Sequence, residues 1–590
     1  MEIKIQARTR CEQTFNHAQG CGLTPLLAHI IANRVQGQGL AFDRIVDPRL
    51  ADLSAPKQLQ DAQRAAQRIV RAINNSEVIG VLTDYDVDGI TSHAIISRAF
   101  TDYFQVKASQ LQQLIGHRME DGYGVSDGLT NKILSKERLP ELIITADCGS
   151  SDQVRIARLA AAGIDVIVTD HHAIPAEGIP QAAYAVINPT RDDCEYPDRV
   201  IAGCMVAWLL MCQVRLELLR DEGVVNTQLV IPKLSGLLDY VALGTVADAV
   251  SLFNATNRAV VNTGLHVMNR LERPCWRAMK QLLHRQHAFG SEDLGFQLGP
   301  RINARSRMAD PYAALRFLLA ETDSEAMDQL LLLNADNEDR KLTERQMLEE
   351  AICQAEGCLQ QKLLSMTVYA ESFHAGVQGI VASRLVDRYG HPCVVFSPTN
   401  DPEKLSGSAR TIADVHIRDA LQYVADHTEG VILAFGGHKG AAGLKIARNR
   451  LEEFQVCFDH AIRRQLDVEE LYPVRLSDGP LSLAKLDLAA FDQLERLQPF
   501  GREFEGPQFE GYFNVHSVRL IGKEKIHLSL EFEQDGFYRQ AVWFRALSTE
   551  GEAVPIRAGD HVHCLYRLAA NEFRGERRLQ LMVEVCLKQG

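Results

Sequence analysis

The chain has 590 residues, of which 46% are hydrophobic and 24% are charged, and this length favours three or four globular domains. No apolar run approaches the roughly 18 residues of a membrane-spanning helix, and MEIKIQARTR lacks the features of a secretory signal, so we expect a cytoplasmic protein without a membrane partner. The net charge of −13 argues against a uniformly basic nucleic-acid-binding surface, but it does not exclude local basic patches.

Thirteen cysteines are scattered from Cys11 to Cys586 without a Cys-x-x-Cys pair. This pattern argues against a disulfide framework and against a structural zinc site. We expect ordinary reduced cysteines.

The first part of the chain predicts a helix followed by a parallel α/β sheet. After an N-terminal extension (residues 1–57), residues 58–75 have helical spacing with charges on one face. Helix-like stretches then separate four nearly continuous apolar runs, at residues 78–83, 141–146, 164–169 and 184–187. Strands buried on both faces have this pattern, so residues 58–260 are predicted to form an α/β domain with a parallel sheet.

The rest of the chain divides into three further segments. Residues 261–355 have helical periodicity and contain a long connecting helix. Residues 356–465 predict a second α/β domain with glycine-rich turns at LSGSAR and FGGHKGAAG. Over residues 466–590, short alternating strands predict a small β-barrel.

Three alternate aspartates, Asp84, Asp86 and Asp88, follow the first predicted strand and precede a glycine. Carboxylates this close repel one another and raise each other's pKa unless a cation lies among them. A divalent metal ion is the simplest such cation.

The next two predicted strands also end in candidate ligands, Asp147 and then Asp170, His171 and His172. Parallel strands present their carboxyl ends at one edge of the sheet, where ligands usually bind, and carboxylates with one or two imidazoles suit manganese or magnesium. A single aspartate after a strand is equally often a helix N-cap, and a histidine pair in a loop is more often a surface feature. Three such strand ends in a row nevertheless favour a metal site.

The motifs DYDVDG, ADCG, DHH, INP and LGTVAD, in this order, resemble the DHH phosphoesterase superfamily. GPRINARSRM (299–308), FHAGVQGIVASRL (373–385) and FGGHKGAAG (435–443) narrow the resemblance to the RecJ family of bacterial single-strand-specific 5′→3′ DNA exonucleases. The resemblance runs from about residue 58 to the C-terminus. It implies a parallel-sheet DHH catalytic domain at 58–260, a helical connector, a DHH-associated nucleotide-binding domain at 356–465 and an OB-fold-like barrel at 466–590.

The resemblance also implies two bound divalent ions, Mn²⁺ or Mg²⁺. The implied metal ligands are Asp84, Asp86, Asp88, Asp147, His171 and Asp248, with Asp239 as the less favoured alternative to Asp248. Which first-motif aspartates are direct ligands stays open. The implied catalytic residues are Asp86, Asp170, which would orient His171, and His172, which would face the scissile phosphate or the second metal. Two ions about 3.5–4 Å apart can activate water and neutralise charge in the transition state, so no side-chain nucleophile is needed.

Substrate contacts are implied for a further set of residues: Arg301, Asn303, Arg307, Arg384, Ser406, Ser408, Arg410, Gly436, Gly437 and His438. Glycine-rich turns let backbone N–H groups approach a phosphate, and nearby arginines and histidines supply charged donors. In the family, the second α/β domain grips the nucleotide end across a cleft from the catalytic domain. The alternatives are simple loops for the glycine-rich turns and helix-surface charges for the residues of PRINARSR.

The predicted barrel offers basic and aromatic candidates for stacking single-stranded bases: Lys523, Lys525, His527, Trp543, Tyr566 and Phe573. For the aromatic residues, a place in the barrel core is the more common alternative.

The implied function is a metal-dependent 5′→3′ exonuclease that degrades single-stranded DNA to 5′-mononucleotides in DNA repair and recombination, with single-strand-binding protein and a helicase as further partners. The chain departs from the family pattern at INARSR, FHAGVQG, LSGSAR and PFGREFEGPQF, where RecJ proteins usually read LNAAGR, WHxGVVG, KGSGRS and PWGxxxPEPxF. Three alternatives therefore stay open: a DHH phosphodiesterase for short oligonucleotides or cyclic dinucleotides, a specialised RecJ-like protein with an altered substrate, and a non-catalytic scaffold.

Overall fold

The computed structural model describes residues 3–35, 42–117, 121–220, 230–305, 310–573 and 576–589. The chain forms two compact units. The N-terminal unit comprises Arg10–Asn337 and Ala489–Gly506, and the C-terminal unit comprises Met1–Thr9, Glu338–Leu488 and Pro507–Gly590. Within the described residues, no helix is both long enough and apolar enough to span a membrane.

The strands of the described residues are labelled in chain order: β1 (Lys4–Ala7), β2 (Ile79–Thr83), β3 (Leu111–Ile115), β4 (Leu142–Ala146), β5 (Asp165–Thr169), β6 (Ala185–Ile187), β7 (Met366–Tyr369), β8 (Cys393–Pro398), β9 (Lys404–Arg410), β10 (Ile432–Gly437), β11 (Ala441–Ala447), β12 (Val474–Ser477), β13 (Phe509–Ile521), β14 (His527–Gln534), β15 (Phe537–Trp543), β16 (His561–Phe573) and β17 (Glu576–Lys588). The N-terminal unit contains the helices Glu12–Gly20, Pro25–Ala32, Phe42–Val46, Ala62–Asn74, Val87–Arg98, Asp127–Leu134, Gln153–Ala161, Gly203–Leu218, Leu238–Ala247, Ala255–Met268, Pro274–Leu282, Ser291–Asp293, Gly299–Arg305 and Ala313–Leu319. Helix Leu488–Glu495 begins at the last residue of the Glu338–Leu488 stretch and otherwise belongs to the N-terminal unit. The long helix Asp323–Gln360 crosses the division between the units, and the C-terminal unit contains Gln378–Tyr389, Ile417–His427 and Leu451–Gln465.

A five-stranded parallel sheet, in the order β3-β2-β4-β5-β6, forms the centre of the N-terminal unit. The four predicted strands are β2, β4, β5 and β6, and the parallel sheet is confirmed. Strand β3 was not predicted, because its sequence LQQLI carries two glutamines. An edge strand tolerates these polar residues, since only part of it is buried.

The Ala489–Gly506 segment lies in the N-terminal unit, whereas the predicted boundaries assign it to the barrel domain. The fully buried guanidinium of Arg258 explains this placement, because it donates hydrogen bonds to the carbonyl oxygens of Leu497, Gln498 and Pro499 at 2.6, 3.2 and 3.1 Å. It also lies 4.4 Å from the ring centre of Phe504. A charge buried this deeply needs such partners, and the segment supplies them.

The second α/β domain contains a sheet in the order β10-β11-β9-β8-β7, which is antiparallel except for the β7–β8 pair. The prediction that LSGSAR is a turn was wrong, since these residues form most of β9. Their burial alternates, so Leu405, Gly407 and Ala409 face the core. Gly407 is required there, because an added Cβ atom would lie 2.5 Å from the ring of Phe396.

The C-terminal unit ends in a closed barrel of five strands in the order β13-β14-β15-β17-β16, which confirms the predicted barrel. Phe509, Phe513, Phe532 and Tyr566 are buried in it, and neighbouring rings lie 5.1–6.3 Å apart. Near the start of the chain, β1 pairs in parallel with β12, which explains why the first residues group with this unit.

Candidate metal centre

The first candidate ligands lie where β2 ends and helix Val87–Arg98 begins. Asp86 is the N-cap of this helix, and its side chain accepts hydrogen bonds from the N–H groups of Asp88 and Gly89 at 2.9 and 3.1 Å. A Cβ atom added at Gly89 would lie 2.3 Å from the carbonyl oxygen of Asp84. The glycine after the three aspartates therefore allows the helix to begin directly against Asp84.

Asp88 is buried and bound by a second helix, Gly203–Leu218. Its two carboxylate oxygens accept hydrogen bonds from the backbone N–H groups of Gly203 and Cys204, at 2.6 and 2.9 Å. The positive end of the helix dipole stabilises this carboxylate. At Gly203, an added Cβ atom would lie 2.9 Å from both Asp88 Oδ2 and Asp147 Cβ. Sequence reasoning missed Gly203, which lies 115 residues along the chain from Asp88 and outside the motifs quoted from the sequence.

Asp147 follows β4 with φ of 60°, in the left-handed region that residues other than glycine seldom adopt. Its backbone N–H donates to the carbonyl oxygen of Thr169 at 3.0 Å, which continues the pairing of β4 with β5 past the strand end. Its side chain is buried. Unusual backbone of this kind persists where the surroundings hold it, and functional sites are common among such places.

His171 faces three of these carboxylates. Its Nε2 atom lies 3.2 Å from Asp147 Oδ1 and 3.7 Å from both Asp88 Oδ2 and Asp248 Oδ2. This nitrogen is buried, and it makes no hydrogen bond within the described part of the chain. A buried nitrogen without a hydrogen bond, surrounded by carboxylate oxygens, fits a divalent metal ion that would bind all of them.

The candidate ligands form three overlapping groups whose ligand atoms lie within 4.8 Å of one another: Asp84, Asp86 and Asp147; Asp88, His171 and Asp248; and Asp147, His171 and His172. The structure thus brings all the predicted metal-site residues together. Asp147 and His171 each belong to two of the groups, so the three groups form one connected cluster.

Asp170 positions His172, whereas the sequence analysis expected it to orient the ring of His171. Asp170 Oδ1 lies 2.7 Å from His172 Nδ1, and toward His171 it accepts only the backbone N–H, at 2.8 Å. Burial alone would lower the pKa of His172, but the hydrogen bond to Asp170 outweighs it and raises this pKa to about 9. Burial would likewise raise the pKa of Asp170, yet hydrogen bonds from His172 and Ser150 hold it below its ordinary value.

Three of the grouped carboxylates have raised pKa values. Burial raises the pKa of Asp147 and of Asp86, and the charge of Asp88 adds to both shifts. Burial also raises the pKa of Asp248 to about 8, with contributions from Asp88 and Asp86, while the positive charges of His172 and Arg502 oppose the rise. Carboxylates with such pKa values bind protons when no cation is present, and a divalent ion would keep them ionised.

Of the two alternatives for the last ligand, Asp248 lies in the centre and Asp239 does not. Asp239 Oδ2 accepts hydrogen bonds from Arg273 Nε at 2.6 Å and from Trp276 Nε1 at 2.7 Å. Its carboxylate is buried in this polar cluster, which accounts for an aspartate inside helix Leu238–Ala247. Asp248 follows the same helix as its C-cap residue.

Tyr123 is a neighbour of the centre that sequence reasoning missed. Its hydroxyl donates to the carbonyl oxygen of Asp147 at 3.1 Å and lies 3.3 Å from His172 Nε2. About half of its surface is exposed. The loop that carries it has no motif, so only the tertiary fold reveals the contact.

In the C-terminal unit, Ser406, Ser408 and Arg410 lie on one face of β9, since they alternate along the strand. Ser408 pairs with Gly443, which in turn pairs with Gly436. Cβ atoms added at either glycine would meet nothing within 4 Å, so the backbone on this face is open. Burial lowers the pKa of Arg410, and its guanidinium donates to Ser408 Oγ at 3.0 Å.

The other residues of the second α/β domain that are implied to contact substrate have different surroundings. Gly437 ends β10, and the exposed His438 follows it. Arg384 forms an ion pair with Glu344 and is about half exposed. A contact between these residues and phosphate stays a prediction.

The PRINARSR segment is only partly described. Arg301 is 7% exposed and donates to Asn334 Oδ1 at 2.9 Å and to the Gln297 carbonyl at 2.7 Å. These bonds hold the guanidinium within the N-terminal unit, and its contact with phosphate stays a prediction. Asn303 is partly buried in the same helix, and Arg307 lies outside the described residues.

Among the barrel candidates, Lys523 and Lys525 are exposed, and His527 and Trp543 are partly buried. Tyr566 is fully buried, and its hydroxyl donates to the Leu481 carbonyl at 2.8 Å. Tyr566 is therefore a core residue that cannot stack with a base. The Phe573 side chain lies outside the described residues.

Comparison with known proteins accounts for this arrangement. Three family models match the chain: the DHH family N-terminal domain over residues 78–245, the DHHA1 domain over 360–464 and the RecJ OB domain over 477–585. The single-stranded-DNA-specific exonuclease RecJ of Escherichia coli K12 is 34% identical over 571 residues, covering 95% of this chain and 96% of that protein. The chain belongs to the RecJ family.

Solved RecJ structures agree with this family and fold. The structure of Thermus thermophilus RecJ in complex with Mn²⁺ has a TM-score of 0.78 at 23% identity, covers 100% of this chain and 80% of that one, and shows the fold. A second structure, of exonuclease RecJ bound to manganese, has a TM-score of 0.55 at 28% identity and covers 69% of this chain and 95% of that one. The predicted family, the α/β fold and the OB-type barrel are confirmed.

Proposed function

We propose that the chain is a metal-dependent exonuclease that degrades single-stranded DNA. Membership of the RecJ family supports the substrate, because the Escherichia coli relative is a single-stranded-DNA-specific exonuclease. The observation that carries the catalytic part is the buried Nε2 atom of His171, which faces Asp88, Asp147 and Asp248 without a hydrogen bond. A scaffold that had lost catalysis would have no need to keep this arrangement.

We assign the metal-binding role to Asp84, Asp86, Asp88, Asp147, His171 and Asp248. Mn²⁺ or Mg²⁺ is the proposed ion, since RecJ from Thermus thermophilus has been solved with each and the donor set consists mainly of oxygens. Two such ions, when bound, supply activation of water and stabilisation of negative charge on the phosphate.

We assign the substrate-facing role to His172. About half of its side chain is exposed, and Asp170 holds its Nδ1 atom. Burial lowers the pKa of His172, but the hydrogen bond to Asp170 outweighs this effect, and the raised pKa favours the protonated ring. Its Nε2–H can then donate to a non-bridging phosphate oxygen or to the hydroxyl of Tyr123.

The proposal includes 5′→3′ polarity and release of 5′-mononucleotides. The donors that would bind the 5′ end are Arg384, Arg410 and His438, together with the open backbone near Gly436 and Gly437. Single-strand-binding protein and a helicase are the proposed partners, and DNA repair and recombination in the cytoplasm is the proposed setting. The barrel favours long strands over dinucleotides, because a module of this fold typically binds several nucleotides.

The test is digestion of end-labelled single strands, duplexes, dinucleotides and cyclic dinucleotides with Mn²⁺, followed by product sizing. We expect mononucleotides from single strands, and a loss of at least about 100-fold in kcat for Asp147→Ala and His171→Ala, since each removes a ligand. Asp239→Asn is the matched control for changing a buried aspartate outside the centre: any loss of activity should follow its loss of stability. Retention of a tenth of wild-type activity by His171→Ala would refute the metal assignment, and preference for cyclic dinucleotides would refute the substrate.

A further inference from the structure

The Ala489–Gly506 segment contacts the stretch of chain that follows Asp248. The backbone N–H of Leu252 donates to the carbonyl oxygen of Arg502 at 2.9 Å, and Leu252 comes four residues after Asp248. A Cβ atom added at Gly501 would lie 2.6 Å from Leu252 Cδ1, so the two stretches of backbone are in close contact. Arg502 is therefore fixed next to the turn that carries Asp248.

Contacts on both sides of Arg502 hold this part of the segment in place. Before it, the carbonyl oxygen of Phe500 accepts a hydrogen bond from Ser291 Oγ at 2.6 Å. After it, Phe504 is fully buried against Arg258, and the carbonyl oxygen of Glu505 accepts from Arg34 Nη2 at 3.0 Å. The backbone position of Arg502 is thus determined by tertiary contacts within the N-terminal unit.

The Arg502 side chain is exposed, and it makes no hydrogen bond or ion pair with any residue that the structure describes. The backbone hydrogen bond to Leu252 nevertheless places it near the turn that carries Asp248, with which it forms no ion pair. If this arginine served only to neutralise Asp248, a direct ion pair would be expected. An exposed, positively charged group at the edge of a carboxylate-rich site suits a negatively charged ligand instead.

We propose that Arg502 binds a phosphate group of the DNA strand next to the bond that is cleaved. This inference rests on the proposed function and adds a substrate contact to the same site. The guanidinium offers several donors in a planar arrangement that matches phosphate oxygens. It also offsets the repulsion that the acidic centre exerts on an approaching polyanion.

The experiment compares Arg502→Ala and Arg502→Lys with wild type on a 5′-phosphorylated single strand in Mn²⁺, with kcat and KM measured separately. Arg496→Ala is the matched control, because Arg496 is an exposed arginine of the same segment. We expect Arg502→Ala to raise KM about 10-fold with a smaller change in kcat, Arg502→Lys to recover part of the loss, and Arg496→Ala to stay within about twofold of wild type.

A second set of substrates carries one uncharged methylphosphonate, placed in turn at the second, third or fourth linkage from the 5′ end. At the linkage that Arg502 contacts, the methylphosphonate should lower the activity of the wild type about as much as Arg502→Ala lowers it on the unmodified strand. The same methylphosphonate should not lower the activity of Arg502→Ala any further. Equal losses for both proteins at every linkage would overturn the proposal.

Two controls separate this proposal from its alternatives. Calorimetric titration with Mn²⁺ should give the same affinity for wild type and Arg502→Ala; a changed affinity without linkage dependence would assign Arg502 to the metal centre and overturn the phosphate contact. A wild-type protein that cleaves no single-stranded DNA would refute the proposed function, whereas normal wild-type cleavage with an unaffected Arg502→Ala variant would refute only this inference.

Discussion

Replacement of Arg258 by methionine tests how the Ala489–Gly506 segment is held in the N-terminal unit. The guanidinium is fully buried. It donates hydrogen bonds to five backbone carbonyl groups, those of Ile45, Leu252, Leu497, Gln498 and Pro499. Methionine fills most of the same volume and removes every donor, so the change isolates the polar contacts from the packing.

The magnitude follows from two opposing effects. A hydrogen bond from a charged donor contributes about 1.5–3 kcal/mol, and Arg258 makes five. Burial of the charge offsets much of this gain, as shown by the lowered pKa of Arg258, about 10. Because the variant leaves buried carbonyl groups without donors, we expect the free energy of unfolding of the N-terminal unit to fall by about 3–5 kcal/mol.

The assay is urea unfolding followed by tryptophan fluorescence. Two of the three tryptophans, Trp208 and Trp276, lie in the N-terminal unit. The control is Arg270→Met, at an exposed arginine of the same unit, for which the change should stay within about 0.5 kcal/mol. A loss below about 1 kcal/mol for Arg258→Met would show that the segment is held by packing alone. Faster tryptic cleavage within the segment should accompany the expected loss.

Three further outcomes test the centre and the polarity. The pKa of His172 is raised to about 9, so activity that requires its positive charge should be lost as the pH rises through that value. Asp170→Asn removes the carboxylate that raises this pKa, and the alkaline fall of kcat should therefore move to lower pH. An unchanged pH–rate profile would count against the role of His172. Gly203→Ala inserts a methyl group 2.9 Å from Asp88 Oδ2 and should weaken Mn²⁺ binding about 10-fold or more in calorimetry. An unchanged affinity would show that Asp88 and helix Gly203–Leu218 can move apart without affecting the metal ion. A 5′-phosphorylated strand should be cut faster than a 5′-hydroxyl strand, and Arg384→Ala should remove most of that difference in rate. If a label at the 3′ end were released before a label at the 5′ end, the assigned polarity would be reversed.

The convergence of the metal-site residues was predictable because it depends on strand order alone. Each buried strand appears in the sequence as a run of β-branched residues, and parallel pairing places the residues after the runs at one edge. Asp84, Asp147 and His171 therefore lie close together at this edge, and their proximity does not depend on how the side chains pack. Asp248 was reached only through the resemblance, since it follows a helix and no strand pattern indicates its position.

The partner of each side chain was less predictable. Asp170 lies within reach of both neighbouring histidines, and the sequence does not determine which ring it binds; the fold selects His172. The LSGSAR stretch reads as a turn because small residues are common in turns. In the sheet, these small residues instead allow β9 to pack closely against Phe396.

The placement of the Ala489–Gly506 segment changes how the departures from the family pattern are interpreted. The motif PFGREFEGPQF begins at Pro499, whose carbonyl oxygen accepts a hydrogen bond from Arg258, and it includes Arg502. The predicted boundaries place this motif in the barrel domain, where divergence would be expected to alter DNA binding. Residues 499–506, the larger part of the motif, instead lie in the N-terminal unit, where Leu252 and Ser291 bind the carbonyl oxygens of Arg502 and Phe500. Divergence here therefore acts on the edge of the metal centre and leaves every candidate ligand in place, so it is expected to change KM and linkage preference before it changes metal affinity.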